Sequence, residues 1–108
     1  MRIIYTKSFD NSLKKLKNHH KEKEELSNIL LYLKSKDNFS DIINDSLAKI
    51  YGFERLKHEF NMFYSFRLSK VVRLIIKPKE NDIELYLIYV SGNHYDDFNI
   101  KKVIYYDE

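Results

Sequence analysis

Three apolar runs follow one another between residues 62 and 98 with only turn chemistry between them, and no other stretch constrains the fold as much. They are Met-Phe-Tyr-Ser-Phe-Arg-Leu at 62–68, Val-Val-Arg-Leu-Ile-Ile-Lys at 71–77 and Ile-Glu-Leu-Tyr-Leu-Ile-Tyr-Val at 83–90. Their β-branched and aromatic content predicts strands. The gap at Ser69-Lys70 is short enough only for a hairpin. The gap at 78–82 combines a proline, which removes a ladder donor, with Asn81 and Asp82, which favour turns. Three consecutive antiparallel strands follow.

Alternation then assigns faces. Met62, Tyr64, Phe66 and Leu68 share one face of the first strand, and Phe63, Ser65 and Arg67 the other. In the second strand Val71, Arg73, Ile75 and Lys77 oppose Val72, Leu74 and Ile76. Both faces are partly apolar. One is expected under helices, and the other, too apolar to face water, beneath a partner.

Upstream, Ile3, Ile4 and Tyr5 predict a short first strand, and Ser8 is the expected N-cap of a helix carrying Phe9, Leu13 and Leu16. Leu26, Ile29, Leu30 and Leu33 repeat the core-facing helical pattern. On one straight helix the two apolar sets would point roughly 115° apart. Two antiparallel helices broken around Asn18-His19-His20 let both meet the same sheet. Residues 35–56 carry a cap signal at 37–41, an apolar set (Ile42, Ile43, Leu47, Ile50) and an end signal at Gly52. The tail 100–106 reads as an edge strand or a short helix. At 108 residues there is room for one domain, 1–108, with one core.

The composition removes several classes. There is no Cys, so disulfides and thiolate metal sites are excluded and a reducing compartment suits the chain. No apolar run approaches the roughly 20 residues that span a bilayer, and the N-terminal Arg-Ile-Ile-Tyr is too short for a signal-peptide core. A soluble, cytoplasmic chain with no membrane partner is expected. The formal net charge of +3 permits phosphate binding without requiring it. Lys14, Lys15, Lys17, Lys21 and Lys23 read as a solvated helix face. His19 or His20 with Glu24 has a metal-ligand spacing, but no third ligand accompanies it, so neither metal nor other cofactor is expected. No phosphate-cradling Gly-rich loop or Ser-His-Asp arrangement occurs.

Arg67 and Arg73 stand inside otherwise apolar strands. A buried guanidinium without a partner is costly, so each should reach an anion. The third strand runs into Ser-Gly-Asn-His-Tyr-Asp-Asp-Phe, a polar loop on a rigid strand end, where catalytic groups tend to be placed. Cleaving RNA by transesterification takes a group titrating near neutrality, cations for the charged phosphorane, and surfaces to hold bases. His94 suits the first, Arg67 and Arg73 the second, and Tyr95, Phe98 and Tyr89 the third. The structural alternatives are that His94 caps its loop through Asp96 or Asp97, that either arginine pairs with Glu84, and that His58 is a surface histidine.

The order strand, helical hairpin, three strands, with Phe-Arg-Leu leading into Val-Arg-Leu-Ile and a closing His-Tyr-Asp-Asp-Phe, resembles the RelE/ParE superfamily of bacterial toxins. The closing motif is most similar to the YafQ-type branch of mRNA-cleaving toxins. The resemblance implies an α+β, RelE-like fold: an N-terminal strand, a helical hairpin and three to four antiparallel strands in one twisted sheet. It implies a toxin of a type II toxin–antitoxin pair, an endoribonuclease acting on mRNA at the ribosome by metal-independent acid–base transesterification. Carried over by motif, His94 is the acid or base, Phe98 the closing aromatic and Arg67 the phosphate-stabilising arginine. Arg73 and Lys77 would position phosphates, with Tyr95 and Phe98 against the nucleotide. His58 is the candidate second proton carrier, because Arg67 and Val71-Val72 stand where the branch places a further histidine and an acid. The implied partners are a cognate antitoxin covering the apolar sheet face, mRNA and the ribosome. The superfamily also contains ParE-like DNA gyrase inhibitors, and a non-catalytic interaction module on the same fold is the third alternative.

Overall fold

A computed structural model describes residues 1–16, 19–92 and 98–106, Glu59 by its backbone only. The chain begins with β1 (Arg2–Tyr5) and a helical pair, α1 (Lys7–Leu13), extended by a 3-10 turn at Lys14–Leu16, and α2 (His20–Lys34). Two one-turn helices, α3 (Phe39–Ile43) and α4 (Ser46–Ile50), lead to β2 (Glu54–Arg55), β3 (Tyr64–Arg67), β4 (Arg73–Pro78) and β5 (Glu84–Ser91). The sheet order is β1-β5-β4-β3-β2, with β1 parallel to β5 and the other pairs antiparallel. The fold is α+β as expected.

The first cap differs from expectation. Thr6, not Ser8, caps α1: its hydroxyl accepts from the Phe9 amide at 3.0 Å while donating to the Leu87 carbonyl at 2.8 Å. One oxygen thus starts the helix and ties it to β5. Ser8 is buried instead, its Oγ accepting from the Ile104 amide at 2.6 Å. In the 35–56 stretch, Asn38 and Asp45 cap α3 and α4 through their side-chain oxygens.

The alternation predicted for β3 and β4 holds. Phe66, Leu74 and Ile76 join Leu85 and Leu87 under Phe9, Leu26, Ile29 and Leu33 in the main core. The second face carries its own cluster, Leu56, Phe63, Ile75, Tyr86, Ile88 and Phe98. This corrects one expectation: the apolar second face is not left for a partner. The chain covers it itself, with Phe60 from the β2–β3 connection and with Ile100, Val103 and Tyr105 from the C-terminal segment. That segment forms a 3-10 turn at Ile100–Lys102, not an edge strand. It is tied down by Ile104 to Ser8, by the Tyr106 hydroxyl donating to Asp10, and by Tyr105 edge-on to Tyr86.

One irregularity shapes this face. Ile75 pairs with Tyr89 but Ile76 pairs with Leu87, so Ile88 is an extra residue in β5. The bulge lets Ile88 and Tyr89 both serve the second face. Beyond it, Ser91 stands opposite Arg73.

Candidate anion site on the second sheet face

Strand register places the polar residues of the second face in two neighbouring rows. The first is Arg67–Arg73–Ser91 across β3, β4 and β5. The second is Glu54–Ser65–Ile75–Tyr89 across β2 to β5. Adjacent rows on one face lie about 6.7 Å apart, two strand residues.

Arg73 is 6% exposed, and its Nη1 donates to the carbonyls of Ser69, Lys70 and Val72 at 2.8, 3.1 and 3.3 Å. It clasps the β3–β4 hairpin, compensated by carbonyl dipoles, and among the described residues no carboxylate pairs with it. No described residue accepts from its Nε or Nη2. Arg67 is exposed, directly across from it. No described ion pair includes either arginine. The alternative pairing with Glu84 is not formed: that carboxylate meets Arg2 at 3.1 Å and Lys79 at 4.0 Å. Like charges directly opposite on a sheet repel, so this row favours a bound anion.

Arg67 is shaped from behind. Its amide donates to the Tyr51 carbonyl at 2.9 Å, bringing Gly52, at φ +71°, against it. In the second row, Ser65 is fully buried, and its Oγ is the one buried side-chain polar atom without a hydrogen-bond partner among the described residues. Such an orphan costs on the order of 1–3 kcal/mol. Glu54 stands across β2 from it, exposed at the sheet edge. Sequence reasoning missed this carboxylate, since only the β2–β3 pairing brings it within a row of the arginines.

The remaining site residues divide. Lys77 lies further along β4 on this face, its Nζ 5.7 Å from the Phe63 ring centroid. His58 is not brought to the arginine row. Leu56 donates its amide to Phe63, so His58 sits in the hairpin tip beyond Phe63, itself four residues or about 13 Å along the strand from Arg67. Phe98 is 6% exposed, its ring 5.5–5.6 Å from those of Phe60, Phe63 and Tyr89. Its ring packs into the second core, where a large apolar surface is worth most. His94 and Tyr95 lie outside the described residues; Ser91 and Phe98, which flank their loop, are both on this face.

No helix among the described residues is long and apolar enough to cross a membrane. No protein-family model and no curated protein matches the sequence. Solved structures do match. A copper-bound mutant toxin from Helicobacter pylori superimposes with a TM-score of 0.67 at 22% identity, over 91% of this chain and 99% of that one. YafQ from Escherichia coli strain BL21(DE3) gives 0.62 at 19% identity, over 92% and 100%; it has also been solved in the DinJ-YafQ complex. A YoeB/ParE toxin from Agrobacterium tumefaciens gives 0.63 at 16% identity, over 86% and 99%. The chain has the RelE/ParE-like fold of these toxins.

Proposed function

We propose that this chain is the toxin of a type II toxin–antitoxin pair and an endoribonuclease acting on mRNA in the cytoplasm. The observation that carries the reading is the Arg67–Arg73–Ser91 row, two arginines in cross-strand register with no described carboxylate paired to either, on a fold shared with YafQ. In the proposed reaction the ribose 2′-oxygen loses its proton to a base and attacks the adjacent phosphorus. The bond from phosphorus to the 5′-oxygen then breaks, and that oxygen takes a proton from an acid. The products are a 2′,3′-cyclic phosphate and a 5′-hydroxyl. Arg67 and the unused edge of Arg73 stabilise the extra negative charge of the phosphorane. His94 is one proton carrier; Glu54, one row from the arginines, is a better placed second carrier than His58. Lys77 extends the phosphate contacts along β4.

DinJ-YafQ is a toxin–antitoxin complex, and by that likeness a cognate antitoxin is the protein partner. Because the second face is already covered, the antitoxin is assigned to the apolar groove between α1 and α2. It is about 780 Å³, floored by Leu13, Leu26 and Leu30 and rimmed by Lys14, Lys23 and Asp10, which suits the apolar face of an amphipathic helix.

Induced expression of the chain tests the reading, together with mapping of RNA ends. Growth arrest with cyclic-phosphate ends, lost in Arg67→Ala and His94→Ala, is the expected result. Intact mRNA with inhibited DNA supercoiling would assign the fold to gyrase poisoning instead. No growth effect at all would leave an interaction module.

A further inference from the structure

Gly52, which the sequence marks as the end of a helical segment, lies directly against Arg67 of the anion row. A Cβ built on it would stand 2.6 Å from the Arg67 Cβ, 3.3 Å from its amide nitrogen and 3.4 Å from its Nε. The first distance is below any ordinary contact, and it is met near the backbone, where a flexible side-chain end cannot yield. The third is the informative one. The Arg67 side chain folds back over Gly52, so that its Nε lies above the position a methyl group would fill. Arg73 meanwhile turns its Nη1 toward the hairpin carbonyls of Ser69 and Lys70. Two cations that face each other in register are therefore drawn apart, one over a glycine notch and one onto a hairpin.

We infer that Gly52 is a positioning residue for Arg67: its missing side chain is the seat that aims the guanidinium at a phosphate group. This rests on the anion-site reading of the row and adds the residue that sets its geometry. Helix termination alone explains the positive φ of Gly52 but not the contact with Nε, and the amide of Arg67 held by the Tyr51 carbonyl at 2.9 Å prevents the strand from sliding clear.

The test is a phosphate titration of the full-length chain, followed by the NMR signal of the Arg67 Nε–H, in four proteins: parent, Gly52→Ala, Arg67→Ala and the double variant. In the last two, backbone amides of β4 report the binding. Gly52→Ala is expected to weaken inorganic phosphate about tenfold, the loss of one charge-assisted contact, and to shift the Nε–H signal before any phosphate is added. In the Arg67→Ala background it should weaken phosphate no further, although the clash with Cβ, and hence the loss of thermal stability, persists. Gly52→Asn, whose residue type tolerates positive φ, should lose as much affinity as Gly52→Ala while keeping more stability. Unchanged affinity in both Gly52 variants, or an equal loss with and without Arg67, overturns the inference and leaves the anion row standing. A parent chain whose Arg67 signal ignores phosphate overturns both. Gly52-dependent phosphate binding in a chain that cuts no RNA upholds the inference and removes the nuclease.

Discussion

Arg67 and Arg73 are direct cross-strand partners, yet the structure treats them oppositely: one is exposed, the other 6% exposed with three carbonyls on a single nitrogen. Their removal should therefore separate function from folding. Arg67→Ala removes an exposed side chain with no described ion-pair partner and is expected to leave stability within about 0.5 kcal/mol of the parent, while reducing RNA cleavage about 100-fold. Arg73→Ala releases the hairpin clasp and should cost about 1–3 kcal/mol in urea unfolding. A loss below about 0.5 kcal/mol in Arg73→Ala would show that the clasp contributes nothing.

Ser65 gives a second separation. Its hydroxyl is buried between Glu54 and Ile75 without a partner among the described residues. Ser65→Ala deletes the unsatisfied oxygen at almost no loss of packing, so stability should rise by about 1 kcal/mol, read from the urea midpoint at constant slope. A loss of stability instead would mean that the hydroxyl has a partner in the folded chain.

Asp45 links α4 to α2 and sets an acid limit. Its carboxylate receives Lys36 at 2.9 Å and the Tyr32 hydroxyl at 2.7 Å, and these bonds, Lys36 first, hold its pKa down from 3.8 to about 2. The Tyr32 hydroxyl is pushed up, by burial first and by Asp45 second. A carboxyl depressed on folding contributes stability that is fully present above its unfolded pKa and is lost as pH falls through the folded one. The thermal midpoint should thus decline between pH 3.8 and about 2. Asp45→Asn should be less stable at neutral pH and should lack this part of the decline. A variant with the parent's full acid profile would exclude Asp45 as its source.

The strands were legible because each run is β-branched and aromatic and is bounded by short turn signals, which are local properties. What the sequence hid is non-local. Thr6 and Ser8 are equally good caps before Phe9; the Leu87 carbonyl on β5 selects Thr6. The parallel pairing of β1 with β5 and the extra Ile88 depend on register between distant segments. Glu54 and Gly52 fall in a stretch without periodicity and gain meaning only beside β3. For Phe98 the difficulty is chemical: an aromatic that stacks a base and one that fills a core carry the same side chain.

Phe98 can be assigned by choosing a replacement that separates those roles. Its ring touches three aromatic rings of the second core, so Phe98→Ala should cost about 3–5 kcal/mol, a loss large enough to remove the fold and hide any effect on RNA. Phe98→Leu keeps most of the apolar volume and discards the π-face. As a core residue it should lose less than about 1.5 kcal/mol and hold RNA as the parent does. Were the ring a base platform, the same leucine would leave the unfolding midpoint untouched and weaken a single-stranded RNA by about 1–3 kcal/mol. Parallel urea unfolding and RNA titration of the leucine variant decide between them, and the burial of the ring predicts the first result.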